Sequence, residues 1–213
     1  MRLPEFELER YFARFEFAVP VTICSSDIEG IAMGDLLALA GDDGRAMWEG
    51  LTLGYTEAQG HPSLRDEIAA LHEGLAAEDI LVFSGAEEGI YSLVAGLVDP
   101  GDHVVCVWPA YQSLYEVARS EGADVTMVEL RHDEGWELDL DRVKSALRPS
   151  TRLVVVNSPH NPTGAHLDRD RLAELARLAE DHGATLLSDE VYRDVPDGTR
   201  AQLPAAATSP AGL

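Results

Sequence analysis

An α/β fold, with three layers (α/β/α) around a mainly parallel sheet, is predicted by three observations. Strand and helix signals alternate from about residue 55 to 192. The run Val154-Val155-Val156 reads as a strand buried on both faces, as in a parallel sheet covered by helices. Asp168 to His182 has the pattern of an amphipathic helix, with Leu172, Leu175, Ala176, Leu178 and Ala179 on one side and Gly183 at its end.

Each element has its own warrant. Leu3 to Phe17 mixes aromatics and acids at helical spacing. Ser25-Ser26-Asp27 with Gly30 and Gly34 marks a loop, Asp35 to Ala40 is a short helical run, and Gly41-Asp42-Asp43-Gly44 is expected to break the chain. Pro62 suits the first position of a helix whose apolar side is Ile68, Leu71 and Leu75. Ile80 to Ser84 reads as a buried strand, and Gly85-Ala86-Glu87-Glu88-Gly89 opens a helix through Ile90, Leu93, Val94 and Leu97. A strand, a small-residue turn and a helix start can hold an anion on free backbone N–H groups; acids there are equally ordinary capping chemistry. Asp99-Pro100-Gly101-Asp102 is a turn, His103 to Val107 the next strand, and Val125 to Val128 another. Glu134-Gly135-Trp136-Glu137 is an acidic connector, and Asp139 to Leu147 a helix capped near Asp139, with Lys144 facing solvent. The strand at 154–156 then runs into Pro159, Pro162 and Gly164, which stop pairing and set a tight loop. Such a loop lies where ligands bind in open parallel sheets, beyond the strands' carboxyl ends, although its composition alone fits an ordinary turn as well. Ala184 to Ser188 returns to the sheet, with Asp189 at its end.

Composition narrows the function. The 213 residues carry 38 acidic against 16 basic side chains, a formal charge of −22, which argues against nucleic acid or an anionic membrane as partner. No charge-free apolar window of transmembrane length and no signal peptide is evident, so a cytoplasmic location is expected. Cys24 and Cys106 match no metal spacing and read as reduced thiols in apolar surroundings. No internal repeat is visible, and the tail from Ala205 to Leu213 is of low complexity.

The loop Asn157-Ser158-Pro159-His160-Asn161-Pro162-Thr163-Gly164 resembles the Asn-Pro-Thr-Gly signature of class I/II aminotransferases, fold-type I enzymes that depend on pyridoxal 5′-phosphate (PLP). Ser188-Asp189-Glu190-Val191-Tyr192-Arg193 resembles the Asp-Glu-Val-Tyr segment that follows it in that family, one βα unit later. Tyr55, Gly60, Leu64 and Arg65 also repeat a spacing of the family. The resemblance implies a PLP-dependent transferase-like fold, with an arm and the first part of a small domain over residues 1–45 and the N-terminal portion of the large PLP-binding domain over 46–213. It implies the cofactor groups as well. Gly85, Ala86 and Glu87 (the last through its backbone) would cradle the phosphate, and Tyr55 would reach the phosphate of a partner subunit in a homodimer. Tyr111 would stack on the pyridine ring, and Asp189 would pair with the protonated ring nitrogen. Asn161 and Tyr192 would hold the ring's 3-oxygen. For each, the residue alone also allows a plainer reading: Tyr55 a loop aromatic, Tyr111 the first aromatic of a helix, Asp189 a helix cap.

The family's catalytic lysine, which anchors the cofactor and moves the substrate's proton, follows the aspartate by some thirty residues in a Ser-x-x-Lys loop. The chain's one lysine, Lys144, precedes the motif loop, and no lysine follows Asp189. Gln202 to Ala206 resembles the approach to that loop, so the lysine is expected beyond Leu213, the substrate-carboxylate arginine with it. No catalytic residue is therefore assigned, and the chain reads as the front half of a truncated or split aminotransferase, inactive alone. The resemblance implies amino acid and 2-oxo acid substrates. Two alternatives remain: a non-catalytic PLP-binding or dimer-interface remnant, and a replacement or cyclising enzyme of the capreomycidine synthase type. Ile23 to Asp27 with Gly34-Asp35-Leu36 faintly resembles the last of these.

Overall fold

The computed structural model describes residues 3–195, except 25 and 27, together with Gly212. Two compact units emerge, Glu5–Ala58 and the chain from Gln59 onward. In the first, three helices follow one another: α1 (Glu7–Phe15), α2 (Met33–Leu39) and α3 (Gly41–Glu49). None of the three contains a buried residue. The break expected over Gly41–Gly44 is confined to one residue. Gly41 takes the left-handed φ of +68° and ends α2, but Asp42 and Asp43 then form an acidic first turn, which favours a helix start, and α3 runs on to Glu49.

The second unit is built on four parallel strands in the order β2-β1-β3-β4: β1 (His103–Trp108), β2 (Asp124–Glu129), β3 (Thr151–Asn157) and β4 (Thr185–Asp189). Around them lie α4 (Pro62–Ala70), α5 (Ala86–Leu97), α6 (Ser113–Ser120), α7 (Leu140–Ala146) and α8 (Arg169–Asp181). Alternation along the strands divides the core in two, because successive side chains point to opposite faces. Val105, Val107, Val154, Val156 and Leu186 pack with Val143 of α7 and Leu172, Leu175, Ala176 and Ala179 of α8. Val104, Cys106, Leu153, Val155 and Leu187 pack with Ile90 and Val94 of α5 and Leu114, Val117 and Ala118 of α6. Three layers result, as the sequence predicts. The caps also follow prediction: Asp139 accepts from the N–H groups of Asp141 and Arg142, Asp168 accepts from Arg171 N–H, and Pro62 occupies the first turn of α4.

The polar groups at the amino ends of the strands are closed on one another. His103, 1% exposed, makes hydrogen bonds from its two ring nitrogens to Thr151 Oγ1 (2.7 Å) and Thr126 Oγ1 (2.8 Å). Arg148 ties the same group together: its N–H donates to Thr151 Oγ1 (2.8 Å), and its guanidinium donates to Thr126 Oγ1 (3.1 Å) and pairs with Asp124.

Three expectations are corrected. Ile80–Ser84 is not a strand: it is extended, but no described strand pairs with it, and Leu81 and Phe83 are 54% and 37% exposed. It is held by Val82 N–H, which donates to the Gln59 carbonyl (3.0 Å), and by a close approach to Gly60, where a Cβ would stand 2.5 Å from Val82. An apolar run records hydrophobicity, whereas a strand also needs a neighbour. The apolar side of α4 stops short as well, since the helix ends at Ala70 and Leu71 is largely exposed. Cys24 is exposed and only Cys106 is buried, its thiol pushed up to about 12 by burial. Gln202–Ala206 lies outside the described residues, as does the tail apart from Gly212. Among the described residues no helix is long and apolar enough to cross a membrane, and no group of His, Cys, Asp and Glu could hold a metal ion.

Candidate functional site

The carboxyl ends of β1, β3 and β4 gather the groups that the sequence singles out. Asn157 and Asp189 close their strands as register partners, and parallel pairing turns both side chains to the face covered by α5 and α6. The Asn157 carboxamide works in two directions: its Oδ1 accepts Asn161 N–H (2.6 Å), and its Nδ2 donates to the Asp189 carbonyl (2.8 Å). The same carbonyl accepts Ser158 N–H (3.0 Å), so loop and strand are joined twice. Asn161 Nδ2 donates to the Tyr192 hydroxyl (3.2 Å), which brings these two predicted cofactor residues together beside Asp189.

His160 fastens the loop to β1. It is 5% exposed, with Nε2 at 2.7 Å from the Pro109 carbonyl and Nδ1 at 2.7 Å from Thr163 Oγ1. A carbonyl only accepts, so Nε2 carries the hydrogen. Burial lowers the His160 pKa, against the opposing pull of the Pro109 bond, and so favours the neutral ring. Nδ1 therefore accepts from the Thr163 hydroxyl, whose oxygen in turn accepts Ala165 N–H (3.2 Å). The bonds of Asn157 to the Asp189 carbonyl and of His160 to the Pro109 carbonyl are not legible in the sequence, because they span 32 and 51 positions.

Asp189 is the electrostatic centre. Burial raises its pKa, and the Val191 N–H bonded to Oδ1 (3.1 Å) only partly offsets that. No cationic side chain among the described residues pairs with it. A half-buried carboxylate without a counter-charge among the described residues fits a ligand that brings a protonated nitrogen.

The start of α5 offers the complementary feature. The short turn Asp99–Asp102 joins α5 to the amino end of β1, so the helix runs back across the sheet and begins at the carboxyl side. Gly85, its N-cap, has φ +121°, which a side chain would strain, and the space where a Cβ would stand is open. No side chain caps the helix at Gly85, and the Glu88 carboxylate accepts Ser84 N–H (2.8 Å) at the same end; the amino terminus of a helix favours an anion. The Glu87 carboxylate is engaged by the Ser113 hydroxyl of α6 (3.0 Å). Tyr111 precedes α6, which begins at Ser113, and packs half-buried on the core beneath α5 and α6; it is not the first aromatic of a helix. Tyr55 belongs to the Glu5–Ala58 unit, where its side chain is fully exposed. Lys144 is exposed on α7, which packs on the sheet face opposite to Asp189.

These residues fit a flat, phosphate-bearing cofactor: an anion site, a carboxylate for a ring nitrogen, and an amide with a hydroxyl for a ring oxygen. The family model for aminotransferase class I and II matches residues 44–210. The aspartate/prephenate aminotransferase of Thermus thermophilus is 39% identical over 153 residues, 70% of this chain and 40% of that protein. A PLP-dependent aminotransferase from Streptococcus suis superposes with a TM-score of 0.90 at 32% identity, over 100% of this chain and 57% of the other. The PLP-dependent cyclase OrfR superposes with a TM-score of 0.84 at 26% identity, over 100% of this chain and 55% of the other. The chain thus spans about two fifths of the length of the curated relatives that it matches. By its sequence and its fold, the chain belongs to the class I and II aminotransferase family.

Proposed function

We propose that this chain is the cofactor-binding portion of a PLP-dependent aminotransferase, an enzyme that moves an amino group between an amino acid and a 2-oxo acid. The observation that carries the reading is the meeting of Asn161, Tyr192 and Asp189 at the carboxyl ends of β3 and β4. In this reading Asp189 keeps the ring nitrogen protonated, while Asn161 and Tyr192 hold the 3-oxygen. Gly85, Ala86 and the Glu87 backbone bind the phosphate, and Tyr111 lies against the ring. When bound, PLP draws electrons away from the substrate's α-carbon, so that a proton can leave it.

Further parts of the reading rest on the family likeness. Residues 1–45 form an arm and the first part of a small domain, and 46–213 belong to the large domain. Tyr55 serves the phosphate site of a partner subunit in a homodimer. The location is cytoplasmic. Lys144 stays apart from the site, so the 213-residue chain holds PLP without a covalent bond. Titration of the chain with PLP, followed by borohydride, tests this: saturable binding and no PLP fixed to the protein is the expected result. A failure to bind, or PLP fixed at Lys144, would contradict it.

A second reading has its own observation. The likeness to OrfR covers the whole chain, and under it the same groups would serve a cyclising reaction on an amino acid. The two readings share the cofactor and differ in substrate, so product analysis on a protein that includes this chain separates them: a new oxo acid for transfer, a ring-closed amino acid for cyclisation.

A further inference from the structure

We infer that Asn157 is a positioning residue for cofactor binding, the brace that fixes the Asp189 carboxylate relative to the Asn161–Tyr192 pair. The inference rests on the proposed roles of those three residues. They arrive on different segments: Asn161 on the loop after β3, Asp189 at the end of β4, Tyr192 beyond it. A flat ring gripped at its nitrogen and at its 3-oxygen needs both grips at one fixed separation. Asn157, 8% exposed, is bonded to both segments, at 2.6 Å to Asn161 N–H and at 2.8 Å to the Asp189 carbonyl.

The chemistry of the position is restrictive. Its two partners are a backbone N–H, which only donates, and a backbone carbonyl, which only accepts. A carboxamide satisfies both from one side chain, and its orientation follows from the partners. A carboxylate would keep the bond to Asn161 N–H but set a negative oxygen against the Asp189 carbonyl. Asn157→Asp therefore cuts one half of the brace and spares the other. The sheet survives the change, because Ser158 N–H still donates to the Asp189 carbonyl. His160, pinned to Pro109, still holds the far side of the loop. Asn157 touches neither reacting group, so its effect is on the spacing of the grips and not on the phosphate site, which lies at the start of α5.

The test uses the 213-residue chain and two probes, PLP and inorganic phosphate. PLP binding is read from tryptophan fluorescence and phosphate binding from ³¹P line width. Asn157→Asp should weaken PLP by about ten-fold or more, the size seen when a supporting partner of a binding group is lost, and leave phosphate affinity unchanged. A merely structural defect would lower both together, and that result overturns the inference; so does PLP affinity equal to the wild type. Asn157→Thr, which suits a strand, carries the same prediction if the aspartate variant does not fold. Asp189→Asn and Asn161→Ala separate the levels of the argument. If they weaken PLP while the Asn157 variants do not, the brace alone is wrong. If they too leave PLP affinity unchanged, or the wild type binds none, the site reading falls and the inference with it.

Discussion

The two ends of the sheet are finished differently. At the amino end, the buried His103 ring has a partner at each nitrogen, and Thr126, Thr151, Arg148 and Asp124 close the group. At the carboxyl end, among the described residues, the Asp189 carboxylate has one backbone N–H and no cation, and the buried Ser188 hydroxyl has no hydrogen-bond partner. The first end is saturated and serves stability. The second leaves polar capacity open at partly buried groups, which costs free energy in the free chain and is available to a ligand.

That contrast can be broken at either end. Thr151→Val removes the acceptor of Arg148 N–H and leaves the buried His103 ring short of a partner; a loss of about 1–3 kcal/mol is expected in denaturant unfolding. Asp189→Asn should act in the opposite direction, raising the melting temperature at pH 7 even as it weakens PLP. The sign follows from linkage. The folded pKa of Asp189 lies above the unfolded value of about 3.9, so its penalty is absent below that value and grows as pH rises through the folded one. The gain from Asn should then shrink as pH falls toward the unfolded value and vanish well below it, where both states are neutral.

The pH dependence of the amino end is the mirror image. Burial, and next to it the charge of Arg148, lower the His103 pKa, against a smaller pull from Asp124. No cost exists above the unfolded value of about 6.5, and stability is lost as pH falls beneath it toward the folded pKa. The difference between melts of wild type and His103→Gln should be constant above the unfolded value and change only on its acid side. The smallest effect is expected from Ser188→Ala, within about 0.5 kcal/mol and in the stabilising direction, since the hydroxyl has no bond to lose. A loss well beyond that would show that the carboxyl end is less open than its hydrogen bonds indicate.

Much of this was legible in the sequence, for a physical reason. Strands buried on both faces read as unbroken apolar runs, so β1, β3 and β4 stand out, and caps such as Asp139 and Asp168 announce their helices. The loop after β3 is marked by residues that only a fixed turn would collect, which placed Asn161 and, one unit later, Asp189 and Tyr192. What failed depended on partners. Ile80–Ser84 has the composition of a strand and no described neighbour, and Cys24 has apolar residues beside it in sequence without burial in space. The acids after Gly41 restart a helix where glycines suggested only a break. Asn157 and His160 stood inside the quoted motif, but their bonds to Asp189 and Pro109 span 32 and 51 positions, and no periodicity encodes such a contact.

The most direct test of the account is residue-resolved. In an amide NMR titration of the 213-residue chain with PLP, the account predicts shifts concentrated at Gly85, Ala86 and Glu87, at Asn157 to Asn161, and at Asp189 to Tyr192, with the His103–Thr126–Thr151 end unmoved. Shifts centred on α7 and Lys144, or no saturable change at all, would contradict it.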